Sequence, residues 1–356
     1  MKRLPIDSKK ETMKASLKSF ASDNNAPVHE AVFRAMMEAN EGDAIGYGDD
    51  IHTLAAEKKF KDLFGSDVRV FFMLTGTGSN VASLSHVTRP YHAIICSDKA
   101  HLEKDECGAP EKMCGCKLHT LTSADGKIQV EQILPLLESK GFEHHAQPKV
   151  LSITQATEMG TVYHPEEIRT LARLANEHDL YLHMDGARIA NAAASLDLSL
   201  AEITRFCGVD ILSFGATKNG AMAAEAVVFF DQSMAADFQY TRKQSMQLLS
   251  KMRYVSAQFN ALLRDDLWLK NARHANKMAA LLADKIKDIE DIEITQKVET
   301  NAVFACLPDR AIEKLQRRYF FYVWDKGRNE VRWMTAHNTR ERDIEEFVEA
   351  IRWALG

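Results

Sequence analysis

The amino-acid sequence predicts an α/β fold, in which a mostly parallel sheet is sandwiched by helices and a smaller α+β domain follows at the C-terminus. From about residue 28 to residue 230, short apolar runs alternate with helical patterns, which is typical of parallel strands joined by helices. After about residue 239 the pattern changes to long helices and a few short strands. A chain of 356 residues is long enough to form two domains.

The strands of the predicted large sheet are mainly apolar runs, as expected for strands that are buried on both faces. They are predicted at 68–74, 92–96, 150–154, 180–184, 209–214 and 226–230. Helical patterns separate several of these runs, for example at 165–178. This helix begins with Pro165, which suits the first helical position, and Glu166 and Glu167 follow at the positive end of the helix dipole.

The C-terminal part is predicted to be a smaller α+β domain. Residues 245–286 have apolar positions at helical spacing, and short strands are predicted at 292–295, 302–307 and 331–334, before a last helix at 340–355. We therefore divide the chain into an N-terminal arm (1–25), a large domain (26–244) and a small domain with its linking helices (245–356).

The composition disfavours several classes of protein. With 46% hydrophobic and 27% charged residues, it favours neither a disordered nor a membrane protein. Its formal net charge of −5 disfavours a nucleic-acid partner, because neutralising phosphates requires a basic surface. The lysine-rich N-terminus lacks the continuous apolar core of a signal peptide. We therefore expect a cytoplasmic protein whose six cysteines stay reduced.

Two short motifs carry the strongest chemical signal. Asp185 lies in the first motif, at 183–188, and Lys218 lies in the second, at 213–220; each motif is placed at the end of a predicted strand. Ligands of open α/β sheets bind at the carboxyl ends of the strands, so both side chains are expected at one rim. Pyridoxal phosphate chemistry requires this pair, because a lysine holds the aldehyde as a Schiff base and a carboxylate keeps the pyridine nitrogen protonated.

Each of these residues also has a plainer interpretation. Lys218 alone would usually be an exposed loop lysine, although uncharged neighbours such as Phe214 and Asn219 favour a desolvated amine with a lowered pKa. Asp185 alone would form a structural ion pair with Arg188. The occurrence of both residues at strand ends of one sheet favours the cofactor interpretation over either plain one.

A glycine-rich segment, 75–80, follows the predicted strand at 68–74 and precedes a helical pattern at 79–87. Gly76, Thr77 and Gly78 allow the backbone to approach an anion, and the start of the helix supplies free N–H groups, so this segment is a phosphate-site candidate. The alternative is a dinucleotide fingerprint with Asp98 as the ribose ligand. Val81 occupies the third glycine position and disfavours that alternative.

Three further groups have both a chemical and a structural interpretation. His101 follows the strand at 92–96 and is placed to lie on an aromatic cofactor ring or to act as a base, or else it is a satisfied buried histidine. Arg332, in the strand at 331–334, requires either an acidic side chain or a substrate carboxylate. Cys107, Cys114 and Cys116 lack the spacing of a zinc site, so no metal is predicted.

With these residues in place, the chain resembles the low-specificity L-threonine aldolases, which have fold type I of the pyridoxal phosphate enzymes. The resemblance extends from about Ser22 to the C-terminus and depends on motifs that occur in the same order. They are Ser22 with Asp23, the segment 47–50, the turn at 75–77, His101 with Glu106, the segments 157–160 and 185–188, Thr217 with Lys218, and Val331 with Arg332.

The resemblance implies a role for each matching residue. Lys218 corresponds to the Schiff-base lysine, Asp185 to the partner of the pyridine nitrogen, and His101 to the histidine stacked on the ring. Residues matching the phosphate-binding positions are Gly76, Thr77, Gly78 and Thr217. Residues matching the substrate-binding positions are Ser22, Arg188, Arg332, Tyr47 and Lys243. Arg188 also matches a position near the cofactor. Tyr47 and Lys243 match positions that reach a neighbouring active site, so the resemblance implies a homotetramer or at least a dimer.

The function that follows is cleavage of β-hydroxy-α-amino acids, such as threonine, allo-threonine or phenylserine, to glycine and an aldehyde. The base that takes the hydroxyl proton stays open among His101, Glu158 and a held water. The alternatives are another pyridoxal phosphate reaction, such as β-elimination, decarboxylation or transamination, and a protein that binds the cofactor without catalysis.

Overall fold

The chain forms two β-sheets in the computed structural model, which describes residues 18–356. The strands are β1 (Arg69–Met73), β2 (His92–Ser97), β3 (Lys117–Leu121), β4 (Gln147–Thr154), β5 (Tyr181–Gly186), β6 (Ile211–Gly215), β7 (Glu225–Phe229), β8 (Glu293–Ile294), β9 (Ala302–Cys306), β10 (Tyr322–Asp325) and β11 (Glu330–Met334). Of the predicted N-terminal arm, residues 1–17 lie outside the described residues.

Helices surround both sheets. They are α1 (Glu30–Glu38), α2 (Ile51–Phe64), α3 (Gly76–Val87), α4 (His101–Lys104), α5 (Ala109–Cys114), α6 (Val130–Leu137), α7 (Pro165–Glu177), α8 (Ile189–Leu196), α9 (Phe238–Gln244), α10 (Arg253–Leu262), α11 (Leu267–Ile286), α12 (Asp309–Gln316) and α13 (Glu341–Leu355). Four short 3-10 helices lie at Asp23–Asn25, Arg205–Cys207, Thr217–Asn219 and Gln232–Ala235.

The larger sheet has seven strands in the order β1-β7-β6-β5-β4-β2-β3. Strand β7 pairs antiparallel with β1 and β6, and the other neighbours pair in parallel. The predicted mostly parallel sheet is therefore confirmed, with the run at 226–230 forming the antiparallel strand within it. Only a short connection separates β6 from β7, and such a connection permits antiparallel pairing but not a parallel crossover.

Alternate residues of each strand cover the two faces of the larger sheet. In β1, Val70 and Phe72 pack into the core that contains α2 and α10, whereas Phe71 and Met73 pack on the opposite face with α3 and α9. Because both faces are covered, these strands are continuous apolar runs rather than alternating ones, which is the pattern from which they were predicted.

The smaller sheet is antiparallel, in the order β10-β11-β9-β8. Its two faces differ in what covers them. Val331 and Trp333 of β11 pack into a core with α11, α12 and α13. On the other face, Phe304 packs against Met159, which lies in the loop after β4 of the larger sheet. The second face of the small sheet is therefore turned toward the carboxyl ends of the large-sheet strands.

The linking helices of the predicted small domain pack against both cores. Val255 and Phe259 of α10 belong to the core of the larger sheet. Helix α11 contributes Trp268 near its start to that core and Ile286 at its end to the core of the smaller sheet. One continuous helix thus connects the two cores, and the boundaries given to the domains stay a prediction.

Residues 18–25 run along the small sheet before they reach the large one. Phe20 N–H donates to the carbonyl of Phe320 at 3.0 Å, and the Phe20 carbonyl accepts from Met334 N–H at 2.8 Å. The Phe20 ring is fully buried and stacks on Phe347 with the ring centroids 4.2 Å apart. This segment places Ser22 and Asp23 at the junction of the two sheets.

Strands β3 and β10 were not predicted from the sequence. Each is an edge strand of its sheet, and every residue of both strands is half-buried or exposed. An edge strand needs no continuous apolar run, because one side of it faces solvent, so the apolar signal used for the other strands is missing.

Candidate active site

The site lies where the strand ends of the larger sheet meet. Asp185 is opposite Thr154 of β4 and Ser213 of β6, and Glu225, the first residue of the antiparallel β7, is opposite Gly215 of β6 and Met73 of β1. The glycine-rich segment follows β1, His101 follows β2, Glu158 follows β4 and Lys218 follows β6. The predicted convergence of these residues on one rim is thus present in the structure.

Lys218 lies in the 3-10 helix Thr217–Asn219 that directly follows β6. Among residues 18–356 its amine has no carboxylate within 4.0 Å, so it forms no ion pair in the part of the chain that the structure describes. Burial lowers the pKa of Lys218 and the positive charge of Arg188 lowers it further, while Asp23 and Asp185 act in the opposite direction. The amine therefore has the desolvated environment that favours a neutral nucleophile.

Asp185 is the penultimate residue of β5 and is buried. Its Oδ1 accepts the backbone N–H of Ala187 at 2.9 Å, and its Oδ2 accepts Nδ2 of Asn80 at 2.8 Å. The structural pair with Arg188, which was the alternative interpretation of Asp185, is not present, because that guanidinium binds Asp23 instead. The carboxylate is consequently held in place by neutral donors, and no cation within the described chain forms a salt bridge with it.

His101 begins α4, and its ring is tied to a buried carboxylate. Its Nδ1 lies 2.9 Å from Oε1 of Glu106, and the same Oε1 accepts Nδ2 of Asn80 at 3.0 Å. The hydrogen bond to Glu106 raises the pKa of His101, although burial acts against it. Sequence reasoning gave Asn80 no role, because it lies inside a helix and only the fold brings it to Asp185, which is 105 residues away.

The glycine-rich segment opens α3, which begins at Gly76, earlier than the helical pattern predicted. Thr75 caps the helix by accepting the Gly78 N–H at 3.0 Å, so the N–H groups of Gly76 and Thr77 are left for another acceptor. A Cβ at Gly76 would meet no heavy atom within 4 Å, whereas one at Gly78 would lie 2.3 Å from Gln247. The helix start is thus open at Gly76 and closely packed at Gly78.

Thr217 does not present a free hydroxyl in this structure. Its Oγ1 donates to Glu225, and it also accepts the N–H of Ala224 at 3.2 Å. Burial raises the pKa of Glu225 to about 7, although the bond from Thr217 and the charge of Lys218 lower it. Binding a phosphate through Thr217 would require this hydroxyl to leave Glu225, a buried carboxylate that sequence reasoning did not identify.

Arg188 and Asp23 form a buried bidentate ion pair. Nε of Arg188 lies 2.7 Å from Oδ2 of Asp23, and a terminal nitrogen lies 2.9 Å from Oδ1. Asn301 also donates to Asp23, at 3.0 Å, and Ser22 donates to it at 3.3 Å. Burial alone would raise the pKa of Asp23, but Arg188 lowers it to about 2. The predicted residues Ser22 and Arg188 are therefore brought together through Asp23.

Arg332 lies on the small-sheet face that is turned toward the site. Its guanidinium stacks on the Trp324 ring, 4.4 Å from the ring centroid, and its buried Nε has no hydrogen-bond partner among residues 18–356. Burial and the charge of Arg188 lower its pKa to about 10. A cavity of about 730 Å³ opens beside it, lined by Trp324, Met159 and Asp105 among others. Within residues 18–356, no side chain supplies the carboxylate partner expected for Arg332.

Glu158 lies in the loop after β4, directly before Met159, which lines this cavity. Its Oε1 accepts the backbone N–H of His101 at 2.7 Å and the hydroxyl of Thr154 at 3.0 Å, while Oε2 is buried without a partner in the described chain. Burial raises the pKa of Glu158 to about 7, and the charge of Asp185 adds to that rise. The group is therefore poised to gain or lose a proton near neutral pH.

Tyr47 and Lys243 lie together at the surface. The Lys243 amine is 5.3 Å from the centroid of the Tyr47 ring, and Tyr47 is 54% exposed. Among residues 18–356, neither side chain has a hydrogen bond or an ion pair to Lys218 or Asp185. Within one chain, the structure does not join them to the other predicted site residues.

His183 is a further residue that sequence reasoning missed. It precedes Asp185 by two positions and lies between Ser152 Oγ at 2.9 Å and Ser213 Oγ at 3.1 Å. Burial lowers its pKa to about 4, so it is a neutral link across the three central strands beneath Asp185. In the sequence it appears only as a polar residue within an apolar run.

The cysteines near His101 form no cluster suited to a metal. Cys114 and Cys116 are buried, and burial raises the pKa of both thiols. No group of three His, Cys, Asp or Glu side chains among residues 18–356 is arranged to hold a metal ion.

Comparison with known proteins identifies the family. The model of the beta-eliminating lyase family matches residues 19–309. The chain is 41% identical to the low specificity L-threonine aldolase of Pseudomonas aeruginosa, over 95% of this chain and 98% of that protein. This chain belongs to the low-specificity L-threonine aldolases of the beta-eliminating lyase family.

Two further matches agree with this assignment. The chain is 42% identical to the low specificity L-threonine aldolase of a Pseudomonas species, over 94% of this chain and 96% of that protein. The solved structure of Leishmania major threonine aldolase superimposes with a TM-score of 0.90 at 31% identity, covering 95% of this chain and 99% of the other. The fold type I predicted from the sequence is thereby confirmed.

Pyridoxal phosphate, the cofactor of this family, fits the residues present. The amine of half-buried Lys218 has no ion-pair partner in the described chain, the carboxylate of Asp185 is held only by neutral donors, and the start of α3 is open at Gly76. These are the groups that an aldehyde, a pyridine nitrogen and a phosphate require. The predicted cofactor is confirmed, and the assignment of each group to a residue stays a proposal.

Proposed function

We propose that this threonine aldolase cleaves threonine-type β-hydroxy-α-amino acids to glycine and an aldehyde. The observation that carries the proposal is the convergence of Lys218 and Asp185 on one rim, facing a small-sheet arginine whose Nε has no partner in the described chain. The relatives that cover nearly the whole chain are named for the same reaction. A non-catalytic cofactor-binding protein would not need an unpaired guanidinium at this place.

In the proposed assignment, Arg332 and Arg188 bind the substrate carboxylate. The Nε of Arg332 has no hydrogen-bond partner among residues 18–356, and its guanidinium stacks on Trp324, while Arg188 is oriented by Asp23. Two guanidinium groups on opposite sides of the cleft would hold the amino acid in one orientation. Correct orientation decides which bond at Cα is broken.

The remaining groups handle charge and protons. When bound, pyridoxal phosphate supplies an electron sink for the pair released as the Cα–Cβ bond breaks. Asp185 would keep the pyridine nitrogen protonated, and the N–H groups of Gly76 and Thr77 would bind the phosphate. The hydroxyl proton passes to His101, to Glu158 or to a held water, and His101 is favoured by the hydrogen bond to Glu106 that raises its pKa.

Product analysis tests the proposed reaction. The purified enzyme, saturated with cofactor, would be incubated with L-threonine, L-allo-threonine and phenylserine isomers. We expect glycine and the matching aldehyde in equal amounts. Ammonia with a keto acid, or carbon dioxide with an amine, would contradict the proposal and favour β-elimination or decarboxylation on the same fold.

We also propose that the protein self-associates, at least as a dimer and as the homotetramer expected for the family. The exposed apolar side chains of α1, α2 and the loop between them support this, because a patch of this kind usually marks an interface. They are Phe33, Met37, Ile45, Ile51 and Leu54, and Ile51 is 75% exposed. Light scattering coupled to size exclusion should give a multimer for the wild type and smaller species for Leu54→Glu.

Tyr47 lies beside this patch, and we propose that Tyr47 and Lys243 complete the active site of a neighbouring chain. Their exposure and their separation from Lys218 support this assignment. Co-expression of two inactive variants, Lys218→Ala and Tyr47→Ala, should restore part of the activity, because some mixed sites then contain both native residues. Activity no higher than that of the two variants alone would contradict a shared site.

A cytoplasmic location is the last part of the proposal. No helix among residues 18–356 is both long enough and apolar enough to cross a membrane, and all six cysteines are free thiols. Free thiols, four of them buried in the cores beside the large sheet, suit a reducing compartment. Fractionation of the native cells, with an antibody to this chain, tests the location.

A further inference from the structure

A hydrogen-bonded chain of buried side chains connects His101 to Asp185. His101 Nδ1 lies 2.9 Å from Oε1 of Glu106, Asn80 Nδ2 lies 3.0 Å from the same Oε1, and the same Nδ2 lies 2.8 Å from Oδ2 of Asp185. Asn80, Glu106 and Asp185 are each at least 95% buried. The chain spans helix α3, the turn after α4 and strand β5, so it exists only in the folded protein.

The positions of the protons follow from these partners. An amide nitrogen has two N–H groups, and Asn80 uses both on carboxylate oxygens, which settles which end of the amide faces them. Oε1 of Glu106 is therefore an acceptor, and its bond to His101 requires the proton to be on Nδ1. In a neutral imidazole the lone pair is then on Nε2.

The lone pair on Nε2 is available to a substrate. The hydrogen bond to Glu106 is the one made by the His101 ring among residues 18–356, and the side chain is 34% exposed, whereas Glu106 is completely buried. Buried Glu106 stabilises a positive charge on His101 when Nε2 takes a proton. The charged groups around the ring are Glu106 and Asp185, which favour protonation, and Lys218, which opposes it.

We infer that Glu106 and Asn80 are positioning residues: Glu106 fixes the His101 tautomer so that Nε2 accepts the β-hydroxyl proton of the substrate, and Asn80 joins this pair to Asp185. The inference rests on the proposed function and selects among its three bases. The O–H bond of the substrate breaks, its proton goes to Nε2, and the oxygen lone pair forms the aldehyde C=O. The Cα–Cβ pair stays on the amino-acid fragment, which takes up one proton at Cα and leaves as glycine.

Asn80 has a second consequence for the cofactor site. It is the side-chain donor to both Asp185 and Glu106, while its own Oδ1 is buried without a partner among the described residues. Without its two N–H groups, two buried carboxylates would lose a common donor. Loss of Asn80 should therefore affect cofactor binding through Asp185 and proton transfer through Glu106 together.

The decisive experiment compares Glu106→Gln with Glu103→Gln, a half-buried glutamate on α4 that contacts none of these groups. For Glu106→Gln we expect kcat to fall about 100-fold, as for loss of effective general-base catalysis. The acidic limb of the pH profile of kcat/KM should shift to lower pH. The pKa of His101, measured by NMR of labelled histidine in the holoenzyme, should fall as well. Glu103→Gln should change neither.

Asn80→Asp, with Glu103→Gln again as its control, tests the link to Asp185. We expect at least a 10-fold weaker cofactor affinity for Asn80→Asp and wild-type affinity for the control. If the wild type is active but Glu106→Gln has the same acidic limb of kcat/KM and the same His101 titration, the inference alone is overturned. A wild type that releases no aldehyde from any threonine-type substrate would overturn the proposed function and the proton transfer with it.

Discussion

Arg188 donates two hydrogen bonds to Asp23, at 2.7 and 2.9 Å, and so connects the N-terminal segment to the strand end that contains Asp185. The side chains of both residues are buried, with 12% and 1% of their surface exposed. A guanidinium held by a carboxylate in this way has a fixed plane, and its free edge can meet a second carboxylate. The sequence motif gives Asp23 no role beyond its position next to Ser22.

Asp23→Asn should destabilise the protein strongly. Removing one partner of a buried ion pair leaves the other charge uncompensated and costs about 3–5 kcal/mol. The matched control is Asp197→Asn, because Asp197 pairs with Arg273 at the surface with 82% of its side chain exposed, where a pair contributes about 0–1 kcal/mol. Chemical denaturation of both variants measures the two costs. Equal small costs would contradict the role given to Asp23.

The same pair predicts a pH dependence. Arg188 lowers the Asp23 pKa to about 2 from an ordinary value of 3.8, against the effect of burial. Its contribution is therefore complete above about pH 4 and is lost as the pH falls toward 2. The difference in unfolding free energy between wild type and Asp23→Asn should shrink over this range, whereas a difference that stays constant would indicate that the charge is not responsible.

Lys218→Ala should abolish the covalent attachment of the cofactor. The variant, incubated with pyridoxal phosphate and reduced with borohydride, should retain no label, while Lys251→Ala, at an exposed position, should label as the wild type does. Burial lowers the pKa of Lys218, so its removal should not destabilise the unliganded fold. A label that persists in Lys218→Ala would mean that another lysine is the attachment site.

Most of the rim could be predicted because its residues follow apolar strands. Asp185 and Lys218 each end such a run, and strand ends of a parallel sheet share one edge, so proximity followed from the order of elements. The apolar run gives the position of a strand but not its direction, which is why the antiparallel course of β7, and with it Glu225, was not predicted.

Residues that act through long-range contacts could not be predicted in the same way. Asn80 lies within a helix, and its partners Glu106 and Asp185 are 26 and 105 residues away. The edge strand β10, which contains Trp324, has no continuous apolar run. The contacts of such residues depend on how distant segments pack together, and no local sequence pattern indicates them.

Glu158→Gln should stabilise the protein at alkaline pH. Burial, followed by the charge of Asp185, raises the Glu158 pKa to about 7 from 4.5, so the ionised form is penalised in the folded state. The penalty is absent below about pH 4.5 and complete above about pH 7, where it amounts to at most about 3 kcal/mol. Glutamine can still accept the bonds from His101 and Thr154 at Oε1.

Thermal unfolding at pH 5 and pH 8.5 measures this effect. The melting temperature of Glu158→Gln should exceed that of the wild type at pH 8.5 and approach it at pH 5. A variant that is less stable at both values would show that the carboxylate is ionised and satisfied in the folded protein. Cleavage rates of the same variant then indicate whether the raised pKa of Glu158 serves the reaction.

Arg332→Met should separate function from stability. The methionine keeps the packing along Trp324 and removes a buried guanidinium whose Nε has no partner in the described chain and whose pKa is lowered to about 10. If Arg332 were retained for structure, its substitution would lower the stability of the protein. We instead expect Arg332→Met, without substrate, to have an unchanged or higher melting temperature. Loss of the substrate carboxylate contact should cost about 2–5 kcal/mol, which lowers kcat/KM about 30- to several-thousand-fold. Arg317→Met, at the exposed position that follows α12, is the control and should retain kcat/KM. Equal losses in the two variants would contradict a specific contact of Arg332.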